Sequence, residues 1–235
     1  NAFCHLVFPK EEQLFTLMEK AIVENVEITL VFPCMREFQV EERGKLLKKV
    51  DNWCEKRQTR VEILVNDWGM IALVKESGKH LEPCLGVLLN KQKKDPRMRY
   101  KKGSTRGLGE SNLQADFYRT FLKDTYGITR YEWESCGYPQ VFPQGKNSLH
   151  LPYYQTNTSQ YCPLYASCTE GERGKQRLPE HCPGYCEQYA YLYPEHLHMA
   201  GRYNSLFGLD AELVKHPEQL KAYQQAGIDR LVIGL

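Results

Sequence analysis

The chain has 235 residues, 42% of them hydrophobic and 26% charged, with a formal net charge of +2. That supplies enough apolar material for a globular domain with its own core and excludes a disordered tail or linker. The near-neutral charge excludes a generally polybasic protein, so any anion site must be local. Apolar runs such as Leu85 to Leu89 are far too short to span a bilayer.

Phe3 to Phe8 reads as an opening strand. No basic segment precedes it and Lys10-Glu11-Glu12 ends it, so no export signal is expected. Residues 11–24 read as a helix. Val26 to Phe32 is a strand, stopped by Pro33. Residues 41–58 place Leu46, Leu47, Val50, Trp53 and Cys54 at helical spacing. Val61 to Val65 is the next strand, and Asn66-Asp67 can cap a helix carrying Met70, Ile71, Leu73 and Val74. Leu85 to Leu89 is a third strand.

A basic loop follows, then a helix over 111–125 with Leu113, Phe117, Phe121 and Leu122 inward. Ile128 to Trp133 and Leu149 to Tyr154 are further strands. Residues 156–186 are rich in Cys, Pro and Gly and show no period. A late helix over 211–226 ends at Gly227, and Ile228 to Ile233 is a last strand. Strands alternating with helices mean a mainly parallel sheet. The count approaches eight, which predicts an α/β fold of the (β/α)8 TIM-barrel-like kind. A doubly wound open sheet is the alternative, without the glycine fingerprint of a dinucleotide site. The expectation is a single domain over 1–235, with a cysteine-rich metal-binding segment at 156–190 set into its C-terminal third.

Nine cysteines is a high and odd number. A secreted disulfide scaffold is usually short and even-numbered, so a reduced, cytoplasmic protein is expected. Four cysteines crowd together as Cys162-x5-Cys168-x13-Cys182-x3-Cys186. Four thiolates suit zinc or an iron–sulfur cluster. Structural zinc draws cysteines in pairs two to four residues apart, and only Cys182 and Cys186 are that close. A 4Fe-4S cluster on Cys162, Cys168, Cys182 and Cys186 is therefore the first reading. Zinc is the alternative, and four metal-free loop thiols the plainest account. No third close cysteine follows Cys186, which speaks against a radical-SAM centre.

This cysteine spacing after a late strand resembles peptidase family U32, the collagenase-like family. Val65-Asn66-Asp67-Trp68-Gly69, Leu88 to Arg97, and Asn204-Ser205 together with Ala226 to Ile233 are similar in a softer way. The resemblance implies a TIM-barrel-like fold and a 4Fe-4S cluster. It also implies either a peptidase or oxygen-independent hydroxylation of an RNA base or a quinone precursor.

Other candidates come from the residues themselves. The loop over 91–106 is strongly basic and follows a strand, so Lys93, Lys94 and Arg97, with Asn66, are expected to bind an anionic small molecule or RNA. A solvated loop is the plain alternative. Asp67 and His150 are the candidate proton-handling groups, weighed against capping and core packing. His181 beside Cys182 is an alternative ligand. Tyr153, Tyr154, Tyr161, Tyr165, Tyr185, Tyr189, Tyr191 and Tyr193 make the cysteine region aromatic, suited to packing around a buried centre or to stacking on a flat substrate. No HExxH or GxSxG occurs, so the residues give a peptidase no support of their own. A redox or hydroxylating enzyme is favoured. A metal-dependent hydrolase and a non-catalytic module binding RNA or a partner subunit are the alternatives. No membrane is expected among the partners.

Overall fold

The computed structural model describes residues 3–96, 107, 109–138, 140–175, 177–216 and 218–234. The first two-thirds of the chain follow the strand–helix alternation. Helix α1 (Glu11–Val23) leads to strand β1 (Thr29–Val31), α2 (Val40–Arg57), β2 (Val61–Val65), α3 (Trp68–Ser77) and β3 (Leu81–Leu85). Helix α4 (Asp116–Tyr126), β4 (Arg130–Glu134) and β5 (Lys146–Leu151) come next, and β10 (Arg230–Ile233) closes the described chain. These strands form one parallel sheet in the order β1-β2-β3-β4-β5-β10. The order has no reversal, which a doubly wound sheet would require. The sheet curls into a half-barrel with β1 and β10 at its edges, not the full eight-strand ring, among the described residues.

Alternation along each strand sorts the side chains to two faces. Val61, Ile63, Val65, Leu85, Tyr131, Trp133 and Leu149 face the helices and build the main core with Leu46, Leu47, Val50, Met70, Ile71 and Leu122. The opposite, concave face is polar: Glu62, Cys84, Glu132, Ser148, His150 and Arg230 lie on it. Arg230 Nε donates to Ser148 Oγ at 2.8 Å, tying β10 to β5 on that face.

Several expected elements differ. Phe3 to Phe8 is not a strand; a three-residue 3-10 turn, His5–Val7, lies there. Phe3 instead stacks on Phe207, with ring centroids 6.4 Å apart. The third strand is Leu81–Leu85, and the apolar run 85–89 continues into a turn. Gly86 makes that turn possible, since a Cβ there would lie 2.2 Å from Asn66 Oδ1.

The strand expected over Leu149 to Tyr154 is two strands, β5 and β6 (Tyr153–Thr158), because Pro152 offers no ladder N–H and the chain leaves the parallel sheet there. The late helix is likewise two pieces, α7 (Ala211–Lys215) and α8 (Gln219–Gln225). His216 precedes a proline and takes φ −126°, ψ 66°, outside the helical region.

Residues 153–209 also form a layer that periodicity did not reveal. Strands β6, β7 (Tyr191–Leu192), β8 (Met199–Arg202) and β9 (Ser205–Leu209) make a four-stranded antiparallel sheet ordered β6-β9-β8-β7. Helices α5 (Pro163–Glu170) and α6 (Tyr185–Gln188) carry the cysteine segment beside it. Glu134 Oε1, at the carboxyl end of β4, accepts the Gln155 N–H at 2.7 Å and joins the two sheets. No helix among the described residues is long and apolar enough to cross a membrane.

Candidate metal centre and the adjoining cavity

All nine cysteines are free thiols. Three of the four expected ligands converge. Cys162, Cys182 and Cys186 line a pocket of about 290 Å³, and the fourth cysteine in it is Cys4, not Cys168. Cys162 is the N-cap of α5, where its Sγ accepts the Tyr165 N–H at 3.4 Å and donates to the Tyr203 carbonyl at 3.1 Å. Cys186 is buried in the single turn of α6, which starts after Gly184 at φ +84°. Cys168 is exposed on α5. Six residues along a helix rotate a side chain by about 240°, so Cys162 and Cys168 face different ways.

Burial pushes the thiols of Cys4, Cys162 and Cys186 upward, and the sulfurs add to one another's effect: Cys182 acts on Cys4, Cys4 and Cys182 on Cys162, and all three others on Cys186. Thiols held protonated by burial and by neighbouring sulfurs, as Cys4, Cys162 and Cys186 are, form a set that a cation would stabilise as thiolates. Arg36 supplies positive charge nearby. It is 9% exposed, counters the upward shift at Cys4, and donates through Nη2 to the Gln160 carbonyl at 2.9 Å, while its buried Nε has no acceptor. A buried guanidinium with an orphaned N–H beside clustered sulfurs fits an anionic thiolate-ligated group.

The spread of the sulfurs bears on which group. Among the described residues, one set of three or more His, Cys, Asp or Glu donors has its ligand atoms within 4.8 Å of one another, namely Glu62, Cys84 and Glu132. No three pocket sulfurs are therefore that close, whereas one tetrahedral zinc at ~2.3 Å from each sulfur would set them ~3.8 Å apart. The Glu62–Cys84–Glu132 group offers ion-like spacing, but a guanidinium already sits against it. Arg230 Nη2 lies 2.7 Å from Glu62 Oε1 and 2.9 Å from Glu132 Oε1.

A second cavity, also about 290 Å³, opens between the carboxyl ends of β4 and β5 and the small sheet. Glu134, His150, Tyr153, Arg202, Tyr203 and Phe207 line it. Tyr203 lines the cysteine pocket too, so the cavities share a wall. His150 is buried with Nε2 against Glu132 Oε2. Burial alone would raise the Glu132 carboxyl, but its bonds to His150 and Arg230 outweigh burial and hold it below the ordinary carboxylate value. An ionised glutamate fixing one imidazole nitrogen is the arrangement used to orient a proton-transfer histidine.

The remaining candidates are occupied in the fold. Asn66 is buried and holds the ends of neighbouring strands, donating to the Phe32 carbonyl at 3.2 Å and accepting from Leu88 N–H at 3.4 Å. Asp67 caps α3, accepting Met70 N–H at 2.7 Å, and its other oxygen accepts Met35 N–H at 2.8 Å. Lys94 is buried in an ion pair with Glu134, so its ammonium is turned to the protein. Lys93 is exposed and donates to the Gly107 carbonyl at 2.8 Å. Arg97 lies outside the described residues. His181 is exposed and is not among the residues lining the cysteine pocket.

Sequence reasoning missed Cys4, Arg36, Glu132, Arg202 and Tyr203. Comparison with known proteins returns no matching family model, no matching curated protein and no matching solved structure.

Proposed function

We propose that this chain is an iron–sulfur protein of the U32-peptidase-like kind, in which Cys4, Cys162, Cys182 and Cys186 hold a 4Fe-4S cluster and the adjoining cavity takes the substrate. The half-barrel then supplies six strands of a (β/α)8-type framework, and the cavity sits at strand carboxyl ends, where such folds carry their sites. The observation that carries the reading is the convergence of four cysteines from three separate chain segments on one pocket beside the buried Arg36. No three of the pocket sulfurs stand at the spacing of a single tetrahedral zinc.

A cluster bound there would supply one-electron transfer at a sulfur-ligated centre. The chain's own residues supply the rest. Arg202 offers a guanidinium to an anionic group, and Tyr153, Tyr203 and Phe207 offer flat apolar surface, suiting an aromatic or anionic small molecule or an RNA base. His150, oriented by Glu132, holds or accepts a proton at the cavity wall. Redox modification such as oxygen-independent hydroxylation is favoured over proteolysis, since the pocket cysteines serve as ligands in this reading and the chain carries no HExxH or GxSxG motif. The test is oxygen-free purification: a brown protein absorbing near ~400 nm and bleached by dithionite is expected, and a colourless protein without iron or sulfide overturns the reading.

A further inference from the structure

Three consecutive residues at the β8–β9 turn reach three different cysteine-bearing segments. Arg202 Nε donates to the Cys186 carbonyl at 3.0 Å. The Tyr203 carbonyl accepts the Cys162 thiol at 3.1 Å. Asn204 Nδ2 donates to the Phe3 carbonyl, adjacent to Cys4, at 3.2 Å and also to the Ser159 carbonyl, shortly before Cys162. Ser159 N–H returns a bond to the Asn204 carbonyl at 3.1 Å, so that strut is double. We propose that the Arg202–Tyr203–Asn204 turn is the template that positions the cysteine pocket, each residue fixing a different ligand segment. This rests on the pocket being a ligand site, and it adds to that reading the residues that build the site.

The turn has the properties of a rigid template. Ser205 pairs with Arg202 across the hairpin, leaving Tyr203 and Asn204 as its two-residue loop. Tyr203 has φ +56°, a left-handed conformation that favours glycine over a bulky side chain. A tyrosine is kept there because its ring is used: it packs against Cys162, Leu164 and Cys186 and lines both cavities. The Arg202 guanidinium stacks over that ring, 5.1 Å from its centroid. Asn204 is only 8% exposed, and its Oδ1 accepts Ser205 Oγ–H at 3.2 Å, so its amide is fixed from both ends.

The need for such a part follows from chain length. Phe3 and Asn204 are 201 positions apart, so the bond between them and the Phe3–Phe207 ring stack hold the Cys4 segment against the small sheet across most of the described chain. Binding a group by preplaced ligands avoids ordering that segment at the moment of binding. Cys182 takes no bond from the turn and lies in the loop before Gly184; it is the ligand left to adjust.

The test is alkylation of the metal-free full chain by iodoacetamide, with each cysteine followed by mass spectrometry. Asn204→Ala is expected to speed modification of Cys4 and Cys162 by about tenfold while Cys186 changes little, because each segment opens locally. Arg202→Ala is expected to speed Cys186 alone, and Arg202→Lys to restore the slow rate. Core Cys84 is the unfolding control. If Asn204→Ala exposes Cys84, the Arg202 pair carries the test, since Arg202 lies at the surface. Unchanged rates in Arg202→Ala, or a rise shared by all pocket cysteines, overturns the proposal. Iron and sulfide after anaerobic reconstitution are read separately. A wild-type chain that takes no iron but shows the selective pattern ends the cluster reading and leaves the positioning role standing.

Discussion

Glu132 and Arg230 meet on the concave face of the sheet, carboxylate to guanidinium at 2.9 Å, with the Glu132 side chain 1% exposed. The pair is one link of a chain that runs from Glu62 through Arg230 and Glu132 to His150 at the cavity wall. A core face built this way is costly to interrupt. Glu132→Ala leaves the buried His150 without its carboxylate partner and Arg230 with Glu62 alone. We expect a loss of about 3 kcal/mol, read as a lower urea midpoint with unchanged slope.

The same carboxylate sets an acid limb. Glu132 titrates below its ordinary value when folded, and so does Asp229, where burial works upward but bonds from Arg130 and the Asn147 N–H prevail. A carboxyl depressed in the folded state stabilises the protein above its unfolded value and loses that contribution as pH falls through the folded value. The urea midpoint should therefore stay level from about pH 7 to pH 5 and drop below about pH 4, with a shallower drop in Glu132→Gln.

The two lysines of the basic loop should behave differently. Lys94 and Glu134 are paired with side chains 8% and 5% exposed, so Lys94→Met strands a buried charge and should cost about 3 kcal/mol. Lys93→Ala changes a surface residue and should stay within about 0.5 kcal/mol. Chemical denaturation of the two variants side by side checks the contrast.

Thiol chemistry should rank the cysteines outside the pocket. Cys168 is exposed, while burial pushes the Cys136 thiol up to about 11. Because the thiolate is the reactive form, iodoacetamide at about pH 8 should label Cys168 first and leave Cys136 unmodified until the chain unfolds. Labelling of Cys136 ahead of Cys168 would contradict the placement of both.

The sequence carried the fold further than the site. Period-2 and helical spacings located β2, α2, α3, α4 and β4 because each buries one face against the same core, and the serial order of βα units foretold a parallel sheet. The small antiparallel sheet stayed hidden. Its strands are short, Gly201 and Gly208 interrupt their apolar pattern, and Gly208 is there because the Tyr154 ring crosses it; a Cβ would lie 2.3 Å from that ring. Three pocket cysteines were legible from their crowding. Cys4 was not, since it lies far from the other three in sequence and meets them only in the fold. Cys168 lies exposed on α5, outside the pocket lining; linear spacing says nothing about the turn of that helix. Asn66 and Asp67 drew attention as polar residues at a strand end, and the fold consumes them as struts and caps.

In the proposed function Cys4 completes the cluster site and Cys168 takes no part in it. Iron and acid-labile sulfide measured on anaerobically reconstituted wild type, Cys4→Ser and Cys168→Ser decide it most directly. The account predicts about four of each per wild-type chain, the same in Cys168→Ser, and a clear loss in Cys4→Ser. Full loading of Cys4→Ser with loss in Cys168→Ser would contradict it.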